Sequence, residues 1–376
     1  MRKKKKKKKK NFFFDSFNFF RVRLELAGAL YKQDAAERTI ARLIRERDHA
    51  REIARQKGSS RGQEEEDRGG VTAMDVEESS PSVFSADQTE RISTAGESLI
   101  AARKVRSVPS STAKSNEVGL LKETQSHSVL PSSGKGLSSV ARHSAGALAI
   151  GGADGTVVLW ENGKTVSTLK GHSKAISAVR FAPGSSGAYG TVLSASHDGS
   201  VRVWSASSGH AYASSHTFAK LHSAEVTGLT VHPCGSFFAS ASRDTSWSLV
   251  DLLSNTPVYT VPGGPSVGPC SAAVFHPDGF LLATATEDAS HLLRLWDITT
   301  RENVISFPGH SGRINSIAFN ENGFYLATGS ADRTVKMWDL RNLNEPMFAS
   351  EASESAVTSV QFDHSGEYAS ILCFCL

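Results

Sequence analysis

The sequence predicts an all-β propeller preceded by a helical segment and a linker. Two observations carry the fold class. The stretch Phe307–Asp339 reads as three short strands, with Asn322-Gly323 and Ala331-Asp332-Arg333 as the turns between them. Alternating apolar and polar residues with turn signals every eight to twelve positions argue for antiparallel sheet. The pattern also recurs. A turn aspartate stands at Asp154, Asp198, Asp244, Asp288 and Asp332, at spacings of 44, 46, 44 and 44 residues. A tryptophan follows at Trp160, Trp204, Trp296 and Trp338, and Gly-His pairs precede at Gly171-His172 and Gly309-His310.

A period of roughly 40–45 residues with Gly-His and Trp-Asp landmarks is the WD repeat, one four-stranded blade per unit. A histidine before the first strand is placed to bond the turn aspartate. A hydroxyl on the second strand and the indole N–H complete a buried network, because buried polar groups need partners. His172, Asp198 and Trp204 are expected to brace one blade in this way, and His310, Asp332 and Trp338 another. In the third repeat His222 and Asp244 remain, but Val250 fills the tryptophan slot and Trp247 lies three residues early, so that brace must differ. The fourth keeps Asp288 and Trp296 without a Gly-His pair. Its Ser290-His291 reads as a two-residue insertion that lengthens the hairpin or bulges the strand. A catalytic His–Asp pair is the competing reading; repetition in several blades is unlike a single active site.

Taken in order, Met1–Phe20 is a low-complexity tail of lysines and then phenylalanines. The lysine run could serve nuclear import or touch phosphates. Residues 21–57 read as one helix of good helix formers with an uneven apolar stripe at Leu26, Leu30, Ile40, Leu43 and Ile44. A lone helix buries nothing, so a coiled coil is expected. Gly58 ends it, and 58–136, rich in Ser, Gly and Glu and without an apolar period, reads as a disordered linker. The propeller is expected over 137–376. Val166–Leu169, Ile176–Phe181, Val192–Ser196 and Val201–Trp204 are read as one blade, and a sixth blade holds two strands at the end of the chain, about five and a half blades in all. Apolar faces are then expected to be exposed at Ile150, Val158 and Leu159 at one end, and at Val360, Phe362, Ile371 and Phe374 at the other.

Charge and composition narrow the function. Nine of the 42 basic residues lie in Arg2–Lys10, so the rest of the chain carries 33 against 38 acidic ones. That balance argues against a propeller that binds nucleic acid directly. Four scattered cysteines suit a reducing compartment, and Cys373-x-Cys375 lacks a second pair to hold a metal. No run of eighteen apolar residues exists, so no membrane span is expected. No catalytic, cofactor or metal residue is expected.

The helix motif LAGALYKQDAAERTIARLIRERDHA (Leu26–Ala50), the blade GGADGTVVLW with LKGHSKAISAVRF, and the odd blade SRDTSWSLVDL together resemble the pre-mRNA-processing factor 19 family. The resemblance implies a seven-bladed propeller and a coiled coil that forms a tetramer. It implies a nuclear role as scaffold of a spliceosome-associated complex, and ubiquitin ligase activity through an N-terminal U-box that recruits a conjugating enzyme, with a part in DNA repair. Met1–Phe20 stands where that family carries its U-box, which leaves ligase activity uncertain and a non-enzymatic adaptor as the alternative.

Overall fold

The structure is a computed structural model that describes residues 19–20, 85–106, 136–183, 190–208, 211–262, 268–343, 345–351, 355–363, 366 and 369–373. The coiled-coil segment 21–57, with Leu26, Leu30, Ile40, Leu43 and Ile44, lies outside the described residues, as does Phe374. Phe19–Phe20 forms a two-residue strand, β1.

Among the described residues the repeats fold into five four-stranded antiparallel sheets and a sixth of three strands. The first holds β2 (Leu137–Arg142), β3 (Leu148–Gly152), β4 (Thr156–Glu161) and β5 (Lys164–Lys170). The second holds β6 (Ile176–Ala182), β7 (Thr191–Ser196), β8 (Val201–Ser208) and β9 (Ala211–Phe218). The third holds β10 (Val226–Val231), β11 (Phe237–Ser242), β12 (Trp247–Asp251) and β13 (Thr256–Val261). The fourth holds β14 (Cys270–Phe275), β15 (Leu281–Thr286), β16 (Leu292–Asp297) and β17 (Asn303–Pro308). The fifth holds β18 (Ile314–Phe319), β19 (Tyr325–Ser330), β20 (Thr334–Asp339) and β21 (Phe348–Glu351). The sixth pairs β22 (Val357–Phe362) with β23 (Ala369–Cys373), and β1 adds to β23 through Phe19 opposite Ser370.

One strand assignment differs from the sequence reading, and the insertion in the fourth repeat takes the first of its two expected forms. Lys164–Lys170 closes the first sheet by pairing with β4 instead of opening the second. The sequence repeat is therefore staggered by one strand against the sheet, so each repeat spans two blades. The extra residues of the fourth repeat lengthen the β15–β16 hairpin and leave the register of the pair unbroken. His291 there takes a left-handed φ of 42°.

Apolar residues collect between blades. One cluster joins Leu159 and Val157 of the first sheet to Ile176 and Val179 of the second. The next joins Leu193 and Phe218 to Leu229 and Phe238, and a third joins Phe237 and Trp247 to Leu282 and Trp296. Two more link the fourth sheet to the fifth and the fifth to the sixth. Each inner sheet thus buries both faces, which is why all six residues of β11 are buried. The innermost strands carry the packing in sequence: β2 on β6, β6 on β10, β10 on β14, β14 on β18, β18 on β22.

The expected exposed end faces are corrected by this packing. Leu159 is buried against the second sheet, and Val360 and Ile371 against the fifth. Ile150 and Val158 are buried as well, and Phe362 is partly buried. In the first sheet the exposed apolar residues are Leu137 and Val140, on its innermost strand.

A second correction concerns the linker. Residues Ala86–Val105 within it form a helix, α1. Ser85 caps it: the Gln88 amide donates to Ser85 Oγ at 3.2 Å, and the Ser85 amide donates to Gln88 Oε1 at 3.1 Å. This reciprocal pair satisfies two donors that a helix start leaves unpaired. Asp87 in the first turn and Arg103 and Lys104 in the last suit the helix dipole. A short stripe of Ile92, Ala95, Gly96 and Leu99 faces the propeller at helical spacing. It holds one large buried side chain, Ile92, and so gives no apolar period strong enough to read from sequence.

Candidate functional site

The propeller has two ends, and different side chains organise each. The turn aspartates lie between the second and third strands. That end also receives the loops leading from each outer strand to the next blade, so the Gly-His pairs meet the aspartates there.

In the second blade the network is continuous. Trp204 Nε1–H donates to Ser194 Oγ at 2.8 Å, and Ser194 Oγ lies 2.8 Å from His172 Nε2. His172 Nδ1 lies 3.0 Å from Asp198 Oδ2. One direction of donation satisfies every member: indole to hydroxyl, hydroxyl to Nε2, and Nδ1–H to carboxylate. Asp198 also accepts from the Ser173 amide and the Ser200 hydroxyl. The fifth blade repeats this with Trp338, Thr328, His310 and Asp332, at 3.1, 2.7 and 2.9 Å along the chain. Both imidazoles are spent on bonds inside the blade, with fully buried side chains, and present no free nitrogen to a substrate.

The third blade departs from this in a way set by strand parity. His222 bonds Ser240 and Ser246, each at 2.8 Å, and stands 3.5 Å from Asp244. No indole completes the set. Positions 247 and 250 differ by an odd number, so their side chains point to opposite faces of the sheet. Val250 faces the second blade, whereas Trp247 faces the fourth, where its ring lies 5.7 Å from Trp296. Trp247 Nε1 meets no acceptor among the described residues. The displaced tryptophan serves packing between blades in place of the brace.

In the fourth blade Asp288 and Trp296 are not joined. Trp296 Nε1–H donates to Thr284 at 2.8 Å, while Asp288 accepts from Thr286 and Ser290 at 2.7 and 2.6 Å. Gly268 approaches the carboxylate closely: a Cβ on it would stand 2.8 Å from Asp288 Oδ2. At the inner end of this same face, Arg243 bridges Glu225 and Glu287, and Arg313 reaches Glu287 at 2.8 Å, linking the third, fourth and fifth blades.

The opposite end carries a second repeated device that the sequence reading missed. His232, His276 and Asn320 open the turns between first and second strands, 44 residues apart. Each side chain reaches the next blade. His232 Nε2 bonds Gly279 O at 3.1 Å, His276 Nε2 bonds Gly323 O at 2.8 Å, and Asn320 Nδ2 donates to Gly366 O at 2.8 Å. The other polar atom of each accepts an amide two residues on, from Cys234, Asp278 and Asn322. These contacts require the neutral Nε2–H form of both histidines. Gly279 takes a φ of 80°, and a Cβ there would stand 2.1 Å from His232 Nε2, so only glycine fits. The signal was present in His-Pro-x-Gly at 232–235 and 276–279.

Burial pushes His172, His276 and His310 below the ordinary imidazole value of 6.5, against the pull of Asp198, Asp278 and Asp332. Burial likewise lowers His232 to about 4. Burial pushes Asp198 up, but hydrogen bonds from Ser200 and Ser173 outweigh it and bring the carboxyl down to about 2. All five shifts act in one direction. The unfolded chain binds more protons below pH 6.5, so stability is full above that pH and is lost as pH falls. We expect stability to decline as pH falls below 6.5, for His232 down to about pH 4, by up to about 1.4 kcal/mol per pH unit for a histidine still neutral in the fold. Thermal melts of the full chain from pH 8 to 4 measure this; a flat profile would contradict it.

On this end lies α1, across the turns of three blades. Arg91 Nη2 meets Asp251 at 2.5 Å and Arg103 Nη1 meets Asp278 at 2.7 Å, while Arg106 meets Glu321 at 3.3 Å. No described helix is long and apolar enough to cross a membrane.

Sheets of four antiparallel strands, repeated with a His–Asp–hydroxyl–Trp network, define the class: this is a WD-repeat propeller protein. The WD domain, G-beta repeat family model matches residues 163–205, 214–251, 255–297 and 301–339, each match starting at or just before an outer strand and ending on the third strand of the next sheet. The Prp19/Pso4-like family model matches residues 18–56. Pre-mRNA-processing factor 19 homolog 2 of Arabidopsis thaliana is 35% identical over 370 residues, which cover 93% of this chain and 67% of that protein. Pre-mRNA-processing factor 19 of Oryza sativa subsp. japonica is 33% identical, over 93% of this chain and 68% of its own length. That of Bos taurus is 34% identical, over 79% of this chain and 60% of its own length. The chain belongs to the pre-mRNA-processing factor 19 family, and it spans 60–68% of the length of these relatives.

Proposed function

We propose that the chain is a nuclear scaffold in pre-mRNA splicing, holding proteins of a spliceosome-associated complex together. The observation that carries this reading is the joint match. A Prp19/Pso4-like segment and WD repeats follow one another, and relatives named as pre-mRNA-processing factors align over 93% of the chain. The inward-bonded histidines favour holding over catalysis, since their ring nitrogens are used within the blades. Ubiquitin ligation and a part in DNA repair belong to this reading as family roles. A ligase of that type works by keeping a loaded conjugating enzyme next to its substrate, which raises effective concentration. Recovery of tagged full-length chain from nuclear extract tests the scaffold. Spliceosomal proteins should co-purify, and depletion should stall splicing in that extract. Splicing that proceeds unchanged after depletion would refute the role.

Self-association through 21–57 is part of the same proposal, with a tetramer as the implied state. Each buried aliphatic in the seam is worth about 1.5–3 kcal/mol. Ile40→Asp with Leu43→Asp is therefore expected to reduce the full chain from an oligomer to a monomer in sedimentation, with the propeller's melting unchanged. An unaltered sedimentation coefficient would place the assembly contact elsewhere.

A further inference from the structure

Helix α1 sits on the propeller by charge and close approach more than by apolar burial. Only Ile92 and Gly96 of its described side chains are fully buried, and the charged heads of Arg91, Arg103 and Arg106 reach three acidic turns. Arg91 and Arg103 are twelve residues apart, so roughly 18 Å along a helix. That span carries the helix from Asp251 of the third blade to Asp278 of the fourth. Aromatic rings line the same track: Arg91 stacks 4.9 Å from the Phe237 ring, and Arg103 5.8 Å from Phe324. At the centre the helix backbone touches Phe280, and a Cβ on Gly96 would stand 2.2 Å from its ring. The C-terminal half fits less closely. An open groove of about 410 Å³ lies between Leu99, Ala102 and Val105 on one side and Pro277, Asp278 and Glu321 on the other. Val105 is 85% exposed beside it.

We propose that this face is a docking surface for an arginine-bearing helix of a partner protein, and that α1 occupies it in cis until displaced. Acidic turns at Asp251, Asp278 and Glu321, interleaved with Phe237, Phe280 and Phe324, recognise basic residues set three to four turns apart. The face selects against nucleic acid by its charge. The open groove leaves room for a partner that carries a larger apolar side chain where Ala102 stands. Tethering gives α1 a high effective concentration, so the cis helix holds the face against weaker competitors. The inference does not depend on the splicing role.

The probe is a fluorescent synthetic peptide of residues 85–106, titrated into the full chain and read by anisotropy. Gly96→Leu in the chain collides with Phe280 and lifts α1 off, so peptide affinity should rise at least tenfold over the unsubstituted chain. Adding Asp278→Arg should remove that gain. The double variant Arg91→Glu with Arg103→Glu vacates the face by charge and should raise peptide affinity in the same way, with no bulky residue introduced. Equal peptide binding by the unsubstituted and both vacated chains would overturn the proposal, as would a gain that survives Asp278→Arg. A loss of oligomer mass on Gly96→Leu with no gain in peptide binding would also overturn it, because α1 would then link two copies.

Discussion

Asp332→Ala is expected to destabilise the propeller by about 3–5 kcal/mol, because several hydrogen bonds to a charged carboxylate go together, at about 1.5–3 kcal/mol each before the site relaxes. Asp288→Ala, at the equivalent turn, is expected to cost about 1–2 kcal/mol, the net worth of a few hydrogen bonds confined to one hairpin. The difference follows from the partners. Asp332 accepts from the Ser311 amide at 3.1 Å, the Thr334 amide at 2.9 Å and hydroxyl at 2.6 Å, and from His310. It ties the loop entering the fifth blade to the hairpin within it. Removing it leaves His310 Nδ1–H only the Thr334 hydroxyl, 3.0 Å away, as acceptor in a site where the imidazole is fully buried. Asp288 bonds the hydroxyls of Thr286 and Ser290, both within two residues of itself, and no histidine. Its loss disturbs one hairpin. Denaturant unfolding of the two variants separates the cases, and equal costs would show that the histidine adds nothing to the brace.

His276→Ala is expected to cost about 3 kcal/mol, because two buried backbone groups lose their partners at about 1–3 kcal/mol each. Gly323 O loses its donor and the Asp278 amide its acceptor. The ring's edge contact with Phe319, at 5.0 Å, goes as well. His276→Asn is expected to recover most of the loss, to within about 1 kcal/mol, the net worth of one hydrogen bond. Asn320 performs the same two-sided contact one blade further on, with an amide in place of an imidazole. Melting temperatures should therefore rank native above Asn, and Asn well above Ala. If Asn were as damaging as Ala, ring packing and not the stitch between blades would be the source of stability.

The repeating unit was legible because its signals are local. A turn aspartate, a hydroxyl two or four residues away and a tryptophan six or eight residues on lie in one hairpin, so a fixed period reveals them. Pairing of Asp332 with Trp338 through Thr328 and His310 needs only the strand pattern and the rule that buried polar groups are satisfied. The same logic marked the third blade as irregular.

What that blade does instead was settled only in the folded chain. The face that Trp247 takes follows from strand parity, but the neighbour that makes the move useful, Trp296, is 49 residues away and belongs to another sheet. The stitch from His232 and His276 is similar. Its period is visible in the sequence, yet the acceptors are carbonyls 47 residues on, and backbone acceptors leave no residue-type signature. Helix α1 is the extreme case. Its capping box is local, but its docked stripe of Ile92, Ala95, Gly96 and Leu99 is too short and too small to register as an apolar period. A glycine in that stripe counts against a helix by propensity, and it is the residue that lets the helix reach Phe280. The chain by itself determined the repeat and the braces of the second and fifth blades, because those contacts close within one repeat. Tertiary structure decided which face each irregular residue serves and where α1 lies, because those contacts close between blades.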